Sequence, residues 1–347
     1  MNDLERFGFG VFGVAHHHSL SFASIVKRHP RASLVGVYDP NEDAAKSFGL
    51  RLGVPFYTNM ADLLGDEQLK VGIVTCENPL KKDVAIGIAE TGRHVLCDKP
   101  LGEDTKQSRD IIIACKKNNV KLQVGYLTRY TPDVLETMKI IRAGKIGRIK
   151  FIEGENRVDA GSVKRLSPWL ATSKATGGRG ALVEHAVHLA DLVQWYVGSE
   201  ASSVFAFRSA NLDPSFEVED NFSLFVKYSN GAFATMDGSY CTPSSGRVDD
   251  LILNIVGSKG SIRLLIQKKA ILLNMGEDPA MSRELIETTL GGRYEGIPAW
   301  NMIDDLINSI LFDREPLTCG EDARRVNALV EAGYQSLASR MPVKISQ

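Results

Sequence analysis

Short apolar runs punctuate the first third of the chain at nearly even intervals. "FGFGVF" (Phe7–Phe12) is followed by "SLVGVY" (Ser33–Tyr38), "VGIVT" (Val71–Thr75), "HVLCD" (His94–Asp98) and "KLQVGY" (Lys121–Tyr126). Between them lie stretches of helical pattern, among them "NEDAAKSFG", "LKKDVAIGIAETG" and "KQSRDIIIACKKNN". Apolar strands alternating with helices of this length predict an α/β unit: a doubly wound parallel sheet with right-handed crossovers.

After Pro132 the pattern changes. One more helix, "DVLETMKIIRAGKIG", leads into runs of alternating character: "IKFIEGENRV", "ASSVFAFR", "DNFSLFVKYSNGAFATMDGSY" and "DDLILNIVGSKGSIRLLI". Within them "SNG" and "SKG" are tight-turn signals that predict hairpins. The expectation is a second, α+β domain with a large, mostly antiparallel open sheet. The boundary is placed between residues 130 and 131. The helix over 321–340 is expected to pack back on the first domain.

Composition narrows the class. The 347 residues are 44% hydrophobic and 24% charged, as in soluble globular proteins, and the net charge is −1. Lys and Arg are nowhere concentrated, which argues against a nucleic-acid partner. The five cysteines (76, 97, 115, 241 and 319) show no C-x-x-C spacing, so neither a disulfide framework nor a zinc site is suggested. No signal segment and no membrane-length apolar run is present, and a cytoplasmic protein is expected.

"GFGVFGVAHHHS" (Gly8–Ser19) contains a literal G-x-G-x-x-G. If Gly8 opened a phosphate loop, the preceding strand would be the charged "MNDLERF". If Gly13 opens it, the strand is Phe7–Phe12, which has the apolar bulk. The loop therefore reads Gly13-Val14-Ala15-His16-His17-His18. Ala15 takes the place of the glycine that approaches a pyrophosphate, and His18 that of the helix-packing glycine. The start of the following helix would still offer backbone N–H groups to a phosphate. The histidine run reads as a solvated helix start or as a metal site. Three adjacent side chains are expected to point in different directions and not to converge on one ion, so no metal is expected. Asp39, after the second run, stands where an acid bonds the ribose hydroxyls of NAD; its alternative role is to cap the next helix. No Arg or Lys follows immediately to meet a 2′-phosphate, so NAD is favoured and NADP is the second choice.

Two further places carry chemistry. Lys99 follows the strand ending at Asp98, at the sheet edge where ligands bind in open α/β folds, and Pro100 restricts its backbone; a surface Lys-Pro turn is the plain alternative. In "GGRGALVEHAVHLADLVQWYVG", Glu184, His188 and Asp191 stand at i, i+4 and i+7 of one predicted helix, with His185 bordering that face. An imidazole beside a carboxylate suits proton abstraction from an alcohol. The same residues could ligate zinc in a hydrolase, and His188 could be a hydrogen-bonded core histidine.

At these residues the chain resembles the glucose–fructose oxidoreductase, inositol dehydrogenase and rhizopine-catabolism (Gfo/Idh/MocA) family. The segments that carry the resemblance are "HVLCDKPLGEDTKQSRDIIIACKKNNVKLQVGYLTRYTP", "GGRGALVEHAVHLADLVQWYVG" and "LINSILFDREPLTCGEDARRVNALVEAGYQSLAS". The resemblance implies that Lys99, His188 and Glu184 are catalytic. It implies a coenzyme site of Gly13, Val14, Ala15, His16, Asp39, Cys76, Asn78, Asp98 and Lys99. Arg129, Tyr130, Trp169 and His185 would face a sugar or polyol substrate. Glu77 and Lys81 replace the proline and histidine of the family's Thr-Pro-Asn-x-x-His stretch. The function implied is hydride transfer between NAD(P) and a sugar, polyol or keto-sugar; the alternative is an inactive NAD(P)-binding sensor of the same fold. A homodimer or homotetramer through the second sheet is expected, since its outer face needs cover.

Overall fold

Phe9, Val11 and Phe12 are fully buried in β1 (Phe7–Phe12), which lies between two parallel neighbours. Apolar bulk on both faces is what a central parallel strand requires. The computed structural model describes residues 6–169, 179–240, 250–266, 270–275, 283–287 and 296–346. Gly177, Gly178 and Cys241 lie outside the described residues.

The chain divides into two units, Met1–Leu127 with Glu295–Arg324, and Thr128–Tyr294 with Arg325–Gln347. The first holds a six-stranded sheet of order β3-β2-β1-β4-β5-β6. Its other strands are β2 (Ala32–Tyr38), β3 (Phe56–Tyr57), β4 (Leu69–Val74), β5 (His94–Cys97) and β6 (Leu122–Val124), and every pairing is parallel. Helices α1 (His18–Arg28), α2 (Glu42–Leu52), α3 (Met60–Leu64), α4 (Lys81–Glu90) and α5 (Thr105–Lys117) make the connections. Strand order reverses between β1 and β4, so the ligand crevice of this sheet lies at their carboxyl ends.

Glu295–Arg324, read from the sequence as part of the second domain, clusters with the first unit. The segment covers an edge. Val124 N donates to the Thr318 carbonyl at 2.9 Å, and Thr318 Oγ1 donates back to the Val124 carbonyl at 2.7 Å. An otherwise open strand is thereby paired. The helix Gly296–Leu311 packs on α1. Most of the next helix, Gly320–Ser339, clusters with the second unit.

The second unit holds a nine-stranded sheet of order β14-β13-β12-β11-β7-β10-β9-β8-β15. Its strands are β7 (Ile149–Arg157), β8 (Ala201–Phe207), β9 (Asn221–Tyr228), β10 (Phe233–Ser239), β11 (Asp250–Gly257), β12 (Gly260–Leu265), β13 (Ala270–Met275), β14 (Arg283–Glu287) and β15 (Val343–Lys344). Among the described residues of this sheet only β7 and β10 pair in parallel. Both expected hairpins form, β9–β10 across Ser229-Asn230-Gly231, with Gly231 at φ +86°, and β11–β12 across Ser258-Lys259. One face is the core: β9 buries Phe222, Leu224, Val226 and Tyr228, and the helix Ala186–Val197 packs on β7 and β10. The helix α6 (Pro132–Arg142) packs on β12 and β13. The other face carries Phe225, Phe207 and Phe233, each about half exposed.

Candidate active site

Gly13, the first residue after β1, has φ +81°. A Cβ there would overlap the backbone and Cβ of Cys76, which follows β4. Only glycine satisfies both conditions. Its carbonyl accepts from Thr75 Oγ1 at 2.5 Å, and His16 N donates to the Thr75 carbonyl at 3.1 Å. The loop is thus fastened to the end of β4 on the side where strand order reverses. The register with Gly13 as the loop's first residue is the one the fold adopts.

Asp39, after β2, does not cap the following helix. That task falls to Asn41, whose Oδ1 accepts from Ala44 N at 3.1 Å. Asp39 Oδ2 instead accepts from Val14 N at 2.8 Å, and Oδ1 from Asn41 N at 2.9 Å. The carboxylate therefore binds the loop after β1 from the β2 side.

Asp98, fully buried after β5, lies 3.0 Å from His18 Nδ1 and 3.1 Å from His16 Nδ1. Burial pushes its carboxyl upward. The His18 contact and the Lys81 and Lys99 charges outweigh this and hold it below the usual carboxylate range. Gly125, after β6, leaves the room that Asp98 needs, since a Cβ there would press on Oδ1. Burial first, and then neighbouring positive groups, push His16 well below the ordinary histidine value, so its imidazole is neutral at pH 7.

The histidine run departs from expectation. His16 and His18 are buried and only His17 is partly exposed. The rings gather, with His16 and His17 stacked at 4.3 Å between centroids. His17, at the cap of α1, already has helical backbone angles (φ −60°, ψ −22°), yet the three rings lie together. His18, in the place of a packing glycine, is absorbed by its bond to Asp98 and an edge contact with Phe22.

Lys99 is buried and its peptide bond to Pro100 is cis. Its carbonyl accepts from Lys81 Nζ at 2.6 Å. Lys81 itself is fully buried, a connection that spacing along the chain does not reveal. Asn78 is fully buried in the turn after Glu77. Cys76 is buried, and burial pushes its thiol far up, so it stays protonated.

In the second unit the expected single helix over Ala181–Val197 is two. Ala181–Glu184 ends at His185, and Ala186–Val197 begins after it. The His185 carbonyl accepts from Asn156 Nδ2 at 3.2 Å, a long-range bond at the break. Glu184 is buried, while His188 and His185 are half-buried with rings 6.0 Å apart. His185 also meets Tyr240 edge-on at 4.8 Å. Asp191 is taken by Arg129, which donates from Nε at 2.8 Å and from a terminal nitrogen at 2.6 Å. Both are buried, and the guanidinium lies over Trp195. Tyr130 is buried and Trp169 half-buried after α7 (Ala160–Leu166).

A parallel sheet of this order, with a glycine loop after β1 and an acid after β2, defines the class of NAD-binding Rossmann oxidoreductases. The chain belongs to the Gfo/Idh/MocA oxidoreductase family. The model of its NAD-binding Rossmann fold matches residues 7–126, and that of its C-terminal alpha/beta domain matches residues 138–345. The levoglucosan dehydrogenase of Pseudarthrobacter phenanthrenivorans is 26% identical over 285 residues, covering 74% of this chain and 71% of that protein. The scyllo-inositol 2-dehydrogenase (NAD(+)) of Bacillus subtilis is 26% identical over 259 residues, with 74% and 71% covered. The 2,7-anhydro-N-acetylneuraminate hydratase of Escherichia coli is 26% identical over 271 residues, with 77% and 70% covered. Among solved structures, a levoglucosan dehydrogenase in complex with NADH and levoglucosan shares the fold with TM-score 0.87 at 24% identity, covering 99% of this chain and 100% of that one.

Proposed function

We propose that this dehydrogenase acts on a hydroxyl-bearing carbon of a sugar, anhydrosugar or cyclitol, or on the corresponding ketone. The observation that carries the reading is the Asp39 carboxylate, which binds Val14 N and leaves the helix cap to Asn41. Its remaining lone pairs suit ribose hydroxyls and oppose a 2′-phosphate, so NAD is the preferred coenzyme and NADP the weaker one. The three relatives are all named for carbohydrate or cyclitol substrates, which supports the substrate class.

The residues present fit a dinucleotide. Gly13, Val14 and Ala15 would hold its pyrophosphate beside the start of α1, with Asp39 at the ribose and Cys76 and Asn78 beyond. When bound, NAD supplies a carbon that accepts the hydride leaving the substrate C–H bond. In the proposed reaction His188 takes the hydroxyl proton. Lys99 donates a hydrogen bond to the oxygen as negative charge gathers there, and Glu184 orients the imidazole or a neighbouring hydroxyl. The alcohol is oxidised to a carbonyl, and reduction runs the same steps backwards. Proton transfer of this kind contributes about 10²–10⁴ in rate.

A panel of sugars, anhydrosugars, inositols and their keto forms, read by reduced-nicotinamide absorbance with NAD(H) and NADP(H), tests the reading. We expect turnover with NAD(H) and a loss of at least about 100-fold in K99M and H188A. NADH binding without turnover on the whole panel would favour an inactive sensor instead.

We further propose a homodimer or homotetramer through the outer face of the nine-stranded sheet. Phe205, Phe207 and Phe225 form one ring cluster there, with centroids 4.4 and 6.3 Å apart, and Phe151 and Phe233 form another at 4.6 Å. Light scattering on F207D/F225D should give a lower mass than the parent chain. A monomeric parent chain would refute this.

A further inference from the structure

Three of the chain's seven histidines stand together at the start of α1. Ring centroids are 4.3 Å apart for His16–His17 and His16–His18, and 4.4 Å for His17–His18. One ring nitrogen from each lies within 4.8 Å of the other two. Among the described residues no other three His, Cys, Asp or Glu side chains gather in this way. Asp98 stands beside two of them: Oδ1 is hydrogen-bonded to Nδ1 of His18 at 3.0 Å, and Oδ2 lies 3.1 Å from Nδ1 of His16 with no hydrogen-bond partner among the described residues. A carboxylate on one imidazole nitrogen, with the other nitrogen left for a cation, is the usual outer support of a metal-bound histidine. Nε2 of His16 is buried and has no hydrogen-bond partner among the described residues. Such an atom is costly unless something meets it.

We infer that His16, His17 and His18 form a site for one divalent transition-metal ion of the zinc type, supported by Asp98. Imidazole nitrogens suit zinc, cobalt, nickel and copper ions, whereas magnesium and calcium take oxygen. Bonds of about 2.0–2.1 Å place tetrahedral nitrogens about 3.4 Å apart. On binding, the single ring proton of neutral His16 sits on Nδ1, facing Asp98, and Nε2 takes the metal. The approach of His18 N to His16 Nδ1, 3.2 Å without the ion, is then given up. Three protein ligands leave a fourth position for water or an anionic oxygen. The inference stands on side chains of the first unit alone and not on the hydride-transfer reading.

Titration of the tag-free, chelator-stripped full chain with Co²⁺, in the absence of coenzyme, tests it. We expect one ion per chain, the visible absorption of four-coordinate cobalt, displacement by Zn²⁺, and a higher unfolding temperature with Zn²⁺. H17N should weaken binding at least about tenfold, and D98N by about 10–100-fold. H94N, at a distant histidine, should leave binding unchanged. Affinity weaker than about 1 mM, absence of the absorption bands, or undiminished binding in both H16N and H17N overturns the inference. The stoichiometry and spectrum of the unmutated chain decide the matter even where a variant fails to fold.

Discussion

Lys81 places its ammonium 2.6 Å from the carbonyl oxygen of Lys99, with both residues buried. The same nitrogen lies 3.4 Å from the Pro100 carbonyl. Lys81 stands where the family resemblance has a histidine, and its work is on the backbone that carries the other lysine. K81M removes a charged donor from a buried carbonyl, and we expect a loss of about 1–3 kcal/mol. Because that backbone also aims Lys99, kcat should fall more than the KM for NAD changes. Urea denaturation and steady-state kinetics check both parts, and an unchanged kcat would remove the positioning role.

Gly13 combines a positive φ with a close approach to Cys76. G13A must move the loop or the end of β4, at an expected cost of about 1–3 kcal/mol. NADH affinity should fall together with stability. A G13A chain that binds NADH as tightly as the parent would place the coenzyme elsewhere.

Arg129 and Asp191 form a buried, two-pronged ion pair within the second unit. R129M leaves a carboxylate buried without its partner, and a loss of about 3–5 kcal/mol is expected. R129M/D191L should recover most of it, which a double-mutant cycle in urea would read. Losses that simply add would show that the two side chains act independently.

His94 accepts from Lys121 N at 2.9 Å, and burial, aided by the Lys121 charge, pushes it down to about 4. The folded chain thus keeps this ring neutral where the unfolded chain, near the ordinary value, gains a proton. Its contribution is complete above about pH 6.5 and is lost as pH falls toward 4. Allowing for its partial exposure, the loss is about 2 kcal/mol. Urea midpoints at pH 7.5 and 5 should converge in H94N relative to the parent. An equal pH dependence in both chains would assign the effect to other groups.

Much of the coenzyme half was legible in the residues. The charged "MNDLERF" against the apolar "FGFGVF" settled which glycine opens the loop, and the distance to Asp39 located the acid. These are local signals, carried by strand burial and chain spacing. The break at His185 left no such trace, because Ala181–Val197 holds neither glycine nor proline and keeps its apolar period. The carbonyl at the break accepts from Asn156, far away in sequence. Nothing near Arg129 in sequence predicts its pairing with Asp191, 62 positions later. The histidine run gave no sign that its rings would gather, because adjacent side chains are expected to point in different directions. Partners far away in the chain leave no local trace in the sequence.

Thr318 and Cys319 dock against β6, so the Rossmann unit borrows a late piece of chain. A ribosome releasing residues in order completes β6 roughly 200 residues before that piece emerges. At about 5–20 residues per second the wait is roughly 10–40 s. During it a parallel sheet edge stands open in the cell, available to a chaperone or to a neighbouring nascent chain.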